Sequence, residues 1–270
     1  MLIPMIPRWA FMWTMAFALY AGCKWLTLVR LKADPPSTRS RTLAYLVAWP
    51  GMDAQTFLRD ANRVATPSRT EWIAAVVKTV AGALLVWRAA RVVLPIGALL
   101  SGWVGMIGAI FTLHFGSFHL LSLCWRQAGV DAMPLMRNPM RATSLGEFWG
   151  RRWNTAFHEL ASRFTFAPLR RRWGVTAATL GTFVASGLIH ELVISVPAGD
   201  AYGLPTGYFV LQGLGVAGER TMLGRRLGLG GGVRGWLYTV LVVTAPVALL
   251  FPPVFVQRII LPMLAAIGAI

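Results

Sequence analysis

His190 has the setting that most constrains its chemistry. It lies in SGLIHELV, inside an apolar run at 173–196, and Glu191 follows it directly. An ionisable group inside an apolar span is costly unless it is paired or faces a polar cavity, so it is a functional candidate by default. Imidazole, with an ordinary pKa of about 6.5, is the side chain suited to taking and returning a proton near neutral pH. Ser186 and Gly187 lie one turn earlier and leave room beside the ring. The competing role is structural, a histidine that ties two helices together by a hydrogen bond. A zinc-protease site is excluded, because Ile194 stands where H-E-x-x-H needs its second His.

The remaining histidines are less informative. His114 and His119 are five residues apart in LHFGSFHLLSLCW. That is not the i, i+4 pair that holds zinc on a helix, and no Cys or carboxylate cluster accompanies them. They read as structural or pocket-lining, His158 reads as solvated, and no metal is expected. There is no G-x-S-x-G elbow and no carboxylate pair, so serine-hydrolase and glycosidase chemistry are not indicated. The stretch GLGGGVRG at 228–235 follows no strand pattern and lacks the P-loop lysine. It reads as a flexible turn.

The elements that must position these residues follow from composition. The chain has 270 residues, of which 56% are hydrophobic and 13% charged. Soluble domains are nearer 25% charged, so a water-soluble globule is disfavoured and a polytopic membrane protein favoured. Two cysteines exclude a disulfide scaffold. Apolar runs fall near 9–29, 72–87, 92–125, 173–196, 203–218, 236–256 and 258–270. The length allows about seven or eight spans of roughly 20 residues. The expected fold is therefore an all-α transmembrane bundle, one integral-membrane domain over 1–270. The run at 92–125 is too long for a simple crossing. It is either one tilted helix or two helices broken near Gly102, Gly105 and Gly108. The stretch 42–50 is too short to span and reads as re-entrant or interfacial.

Net charge is +16. The arginines sit in short connectors between apolar runs, which points to anionic lipid headgroups and away from nucleic acid. A basic vestibule for an anionic substrate is compatible with the same charges. The connector 126–172 is the longest and holds nine arginines, among them Arg151, Arg152, Arg170, Arg171 and Arg172. Within it Ser144 and Glu147 match a capping box, so a helix is expected to start near Leu145. Leu145, Phe148, Trp149, Trp153, Ala156, Phe157 and Leu160 recur on one face. Glu147, Arg151, Asn154 and His158 fall on the other. The pattern predicts an interfacial amphipathic helix near 145–163.

NPMRATSLGEFWGRRWN (138–154) followed by ATLGTFVASGLIHELV (178–193) resembles the wax-synthase branch of the membrane-bound O-acyltransferase family. AWPGMD (48–53) resembles that branch's early Trp-Pro-Gly motif, so the likeness spans roughly 45–195. The resemblance implies a polytopic helical enzyme that moves a fatty acyl group from acyl-CoA to a lipophilic alcohol, with no cofactor beyond that co-substrate. It places the catalytic histidine at His190 and the second polar position, Asn or His in different branches, at Asn154. At 270 residues the chain is short for the family. Trp149, Trp153, Arg151, Arg152, Ser186 and Glu191 are the accompanying substrate-binding candidates. The arginines would serve the phosphates of CoA and Glu191 would orient His190.

The chemistry needs little more. A thioester is already activated, because a thiolate of ordinary pKa about 8.5 leaves readily. One base for the alcohol proton is then enough. A transporter that uses His190 as a proton site is the non-enzymatic alternative. A sterol, polysaccharide or protein acceptor is the alternative within the fold. Acyl chain length, orientation and oligomeric state are not written in the sequence. The dominance of Arg over Lys points to a bacterial plasma membrane.

Overall fold

A computed structural model of the chain describes residues 6–31, 38–60 and 63–270. Among the described residues every regular element is helical. In chain order these are α1 (Arg8–Val29), α2 (Arg39–Ala48), α3 (Ala54–Leu58), α4 (Arg69–Val93) and α5 (Ala98–Gln127). Next comes α6 (Leu145–Glu147), extended by one π-helical turn, Phe148–Arg152. It is followed by α7 (Thr155–Ala198), α8 (Leu204–Glu219), α9 (Met222–Arg226), α10 (Gly232–Leu250) and α11 (Pro253–Ala266).

Four of these, α4, α5, α7 and α10, are long and apolar enough to cross a membrane. The expected seven or eight spans are therefore not confirmed. The run at 203–218 yields a helix of 16 residues, and the one at 258–270 only partly overlaps the short α11, which ends at Ala266. The long run at 92–125 resolves differently from either expectation. The helix stops at Val93 and restarts at Ala98, because the intervening link carries Pro95, which has no N–H to donate, and Gly97. Gly102, Gly105 and Gly108 lie inside the continuous α5 and are buried.

The chain divides into two compact units. The first comprises the described residues up to Phe17, together with Asn138–Trp153 and Leu160–Ile267. The second comprises the described residues of Ala18–Arg137, with Asn154–Glu159 and Gly268–Ile270.

In the second unit α4 begins at a full capping box. Ser68 Oγ accepts from Glu71 N–H and Glu71 Oε2 accepts from Ser68 N–H at 2.9 Å. Helices α4 and α5 meet through glycines. A Cβ on Gly108 would lie 2.8 Å from the Gly82 carbonyl oxygen, and one on Gly82 would lie 2.5 Å from Thr112 N. The core gathers Tyr45, Trp49, Phe57, Leu58, Leu135 and neighbours around the irregular stretch that follows α2. That stretch, 48–51, overlaps only the end of the segment 42–50 read as re-entrant or interfacial, whose residues up to Ala48 are helical in α2. Three of its carbonyls are met by side chains. Trp125 Nε1 donates to Ala48 O at 2.9 Å, Tyr20 OH to Trp49 O at 2.9 Å and Lys24 Nζ to Gly51 O at 2.5 Å. Lys24 is 1% exposed, and its ammonium also lies 3.4 Å from the centre of the Tyr45 ring, a cation–π contact that helps balance its burial.

In the first unit α7 and α8 pack closely. Gly187 is held so near Thr206 that a Cβ would lie 2.7 Å from the Thr206 Cα. Gly213 sits against Phe183 in the same way, at 3.1 Å. On its other side α8 is tied to α10, with Tyr208 OH donating to Val243 O at 3.1 Å and Tyr238 OH to Gly215 O at 2.9 Å. Helix α7 bends at Gly174, whose φ of 77° is left-handed backbone that favours glycine.

The single amphipathic helix expected over 145–163 is two helices. The chain leaves helical geometry at Trp153, and Asn154 adopts φ of 42°, a left-handed conformation that Asn tolerates better than most residues. Helix α7 starts at Thr155, so Asn154 and His158 do not continue the polar face of Glu147 and Arg151.

Gly108→Ala is expected to lower stability by about 1–3 kcal/mol, because the added methyl meets backbone atoms that cannot rotate away. Gly97→Ala, where a Cβ meets nothing within 4 Å, is expected to stay within about 0.5 kcal/mol of the parent. Thermal unfolding in detergent compares the two.

Candidate active site

Helix α7 carries His190 into contact with α8. The ring is half-buried, and its Nδ1 lies 2.7 Å from the Ser186 carbonyl oxygen. A carbonyl only accepts, so Nδ1 carries the proton and Nε2 of the neutral ring keeps a lone pair. Among the described residues Nε2 makes no hydrogen bond. The ring packs against Phe209 of α8, with centroids 4.4 Å apart and planes tilted by 42°.

Phe209 extends the site toward the upstream motif. Trp149 packs against it at 5.7 Å and against Phe183 of α7 at 5.8 Å. Trp149 Nε1 donates to Gln212 Oε1 at 3.2 Å, and Gln212, fully buried, donates from Nε2 to Val242 O at 2.8 Å. One aromatic wall therefore runs from Trp149 through Phe209 to His190. Its middle residue was not singled out by sequence. Phe209 and Gln212 are three apart on α8 and so share a face, but nothing in the sequence relates that face to His190.

Trp153 stacks on Phe148, with ring planes 14° apart. Arg152 is engaged by Glu147 at 2.7 Å and donates to Asn138 O at 3.3 Å. Arg151 is exposed. Ser186 contributes its carbonyl to His190, while its hydroxyl donates back to Thr182 O at 3.0 Å. Asn154 belongs to the second unit. There its carbonyl accepts from His158 N–H at 3.1 Å, and its carboxamide makes no hydrogen bond among the described residues.

Glu191 does not orient His190. Its Oε1 accepts from Gly203 N–H, Thr206 N–H and Thr206 Oγ1 at 2.9–3.0 Å, which caps the start of α8. Successive residues on a helix point about 100° apart, so the two side chains leave α7 in different directions. The opposite end of α8 holds a second carboxylate. Glu219, 6% exposed, accepts from Leu145 N–H at 2.8 Å and Gly146 N–H at 2.9 Å. It thereby fixes the start of α6. A Cβ on Gly146 would lie 2.7 Å from Glu219 Oε1, so glycine is what admits the carboxylate. Ser144 caps the same helix as expected, accepting from Glu147 N–H at 3.0 Å. Glu147 departs from the box and reaches one residue further back, to Thr143 N–H at 2.8 Å. No group of three or more His, Cys, Asp or Glu able to hold a metal occurs among the described residues.

Residues 132–211 match the model of the membrane bound O-acyl transferase family. A long-chain-alcohol O-fatty-acyltransferase of Simmondsia chinensis is 38% identical over 104 residues, covering 34% of this chain and 28% of its own length. A probable long-chain-alcohol O-fatty-acyltransferase of Arabidopsis thaliana is 31% identical over 146 residues, covering 48% of this chain and 42% of its own. A second Arabidopsis protein of that name is 35% identical over 107 residues, 35% of this chain and 31% of its own. The matched stretch thus spans less than half of these curated relatives. The stretch matched by the family model includes Trp149, Asn154, Ser186, His190 and Phe209, and the names of the relatives agree with the wax-synthase branch read from the motifs. The match to a membrane-bound family and the four long apolar helices support an integral membrane protein.

Glu219→Ala strands two buried N–H groups and is expected to cost about 3 kcal/mol, read as a lowered melting temperature. Glu147 gives a pH dependence. The Thr143 backbone N–H chiefly, and Arg152 after it, hold its carboxyl below the usual range against a partial burial that raises it. A carboxyl depressed in the folded state contributes stability above its unfolded pKa of about 4.3 and loses that contribution as the pH falls through the lower folded value. Melting temperature is expected to drop below about pH 4, and Glu147→Gln is expected to flatten that drop.

Proposed function

We propose that this protein transfers a fatty acyl group from acyl-CoA to a lipophilic alcohol, with His190 as general base. The observation that carries the reading is the Nδ1 contact to the Ser186 carbonyl oxygen at 2.7 Å, inside a segment matched by the family model. That contact fixes the tautomer with the lone pair on Nε2, the form a general base requires.

The reaction then balances as follows. Nε2 takes the hydroxyl proton as the alcohol oxygen forms a bond to the thioester carbonyl carbon. The carbonyl becomes a tetrahedral oxyanion. Its collapse breaks the carbon–sulfur bond and releases the CoA thiolate, which recovers the proton from the imidazolium. No covalent enzyme intermediate and no cofactor enter. The Ser186 carbonyl favours the imidazolium while it exists, because it accepts from the Nδ1–H that then carries part of the positive charge. Phe209 and Trp149 present an apolar wall that suits a fatty chain and keeps water from competing as acceptor.

Asn154 keeps the motif-derived role of second polar residue, with its carboxamide available to a substrate oxygen. The alcohol is read from the names of the relatives. Residence in a bacterial plasma membrane rests on the predominance of Arg over Lys alone.

His190→Ala is expected to lower transfer by at least about 10²–10⁴-fold, the usual value of general-base assistance, without loss of membrane insertion. The assay incubates purified membranes with labelled acyl-CoA and a panel of alcohols and asks which lipid becomes labelled. Near-full turnover by the variant would remove His190 from the mechanism. Labelling of no alcohol by the parent would remove the activity.

A further inference from the structure

The first unit carries a basic surface that the reaction above does not use. It forms where the segment 219–236 docks on the connector 138–152. Three contacts make the junction: Glu219 on the α6 N–H groups, Trp236 Nε1 donating to Met140 O at 2.8 Å, and Gly235 packed beneath the Thr143 carbonyl, where no Cβ fits. The two segments hold seven arginines and two glutamates. Both glutamates are already occupied, Glu147 by Thr143 and Arg152, Glu219 by Leu145 and Gly146. Arg141, Arg220, Arg225, Arg226 and Arg234 are exposed, and none forms an ion pair among the described residues.

We infer that this surface seats the phosphate groups of the acyl-CoA donor. The inference rests on the transferase reading and adds where the donor's anionic head lies. Guanidinium groups match phosphate oxygens two at a time and attract them by charge. The Gly-rich turn between α9 and α10 gives close access. Gly230 and Gly231 have nothing within 4 Å of a Cβ position, while Leu229 N–H donating to Gly224 O at 3.0 Å holds the turn in place.

Distance supplies the independent argument. The surface is joined to the C-terminal end of α8 at Glu219, and Phe209, against His190, is ten residues back along the same helix. Ten residues of α-helix rise about 15 Å. In CoA the arm between phosphate and sulfur is an extended chain of two amide-linked units, whose reach is also about 15 Å by backbone dimensions. Phosphates held at the basic end therefore bring the thioester to the imidazole, with Trp149, bonded to Gln212, alongside the arm.

Anionic lipid headgroups offer the same chemistry, and the experiment separates the two sources. The full chain is placed in phosphatidylcholine nanodiscs, and KM is measured for palmitoyl-CoA and for S-palmitoyl-pantetheine, which lacks the phosphates. The parent is expected to favour palmitoyl-CoA at least tenfold, and R225Q/R226Q to shrink that preference at least tenfold. Binding of labelled CoA alone, read in the same nanodiscs, is expected to weaken by at least tenfold and to become less salt-dependent. Should the double variant not fold, R234Q replaces it with the same expectation. An unchanged donor preference with reduced binding to phosphatidylglycerol vesicles assigns the surface to lipid and overturns the inference. If no donor is turned over, the transferase reading fails by itself. The CoA measurement still decides the surface, and undiminished or undetectable binding overturns the assignment.

Discussion

A helix that breaks in apolar surroundings strands backbone N–H and C=O groups that water cannot reach, and each must find a partner within the protein. This constraint organises most of the polar side chains described above. Lys24, Tyr20 and Trp125 meet the carbonyls of the stretch after α2. Glu191 meets the N–H groups that open α8, and Glu219 those that open α6. Glu191 and Glu219 are thus tied to backbone, while Asp60, Glu71, Glu147 and Asp200 pair with Arg41, Arg126, Arg152 and Arg258; with 26 Lys and Arg against 10 Asp and Glu, cations remain in large excess.

Helix α8 is where these ends meet the chemistry. One face of 16 residues holds Phe209 against His190 and Gln212 against Trp149, and Glu219 closes the far end on α6. Its close seat on α7 depends on glycine at 187, where a Cβ would meet the Thr206 backbone at 2.7 Å, and is tight at Gly213 against the Phe183 side chain. Small residues at such contacts are the usual route to tight packing where hydrophobic burial supplies little drive between helices. The position of the imidazole is therefore set from both helices at once.

Much of this was legible. Residue type and burial cost singled out His190, the capping pattern placed the start of α6 at Leu145, and apolar runs gave the all-helical class. What was missed has identifiable causes. Periodicity cannot see a left-handed residue, so a continuous helix was drawn through Asn154. Apolar content locates runs but not their ends, so Pro95 and Gly97 set a boundary that the glycines of α5 were expected to make. Partner choice is tertiary: Glu191 adjoins His190 in sequence, yet Thr206 lies in its reach. Phe209 was invisible as a site residue because phenylalanine in an apolar helix looks the same whether it lines a site or fills a core.

The π-helical turns have a consequence of a different kind. They interrupt α4 at Leu85–Ala89, α5 at Phe111–Ser117 and α7 at Ser162–Phe166, and another forms Phe148–Arg152. Each widens one turn by an extra residue, which rotates everything beyond it by about 100° relative to an uninterrupted α-helix. The faces that α4, α5 and α7 present are consequently counted in two registers, one on either side of each wide turn. A change of length by one residue can be absorbed at such a turn by a change of helix type.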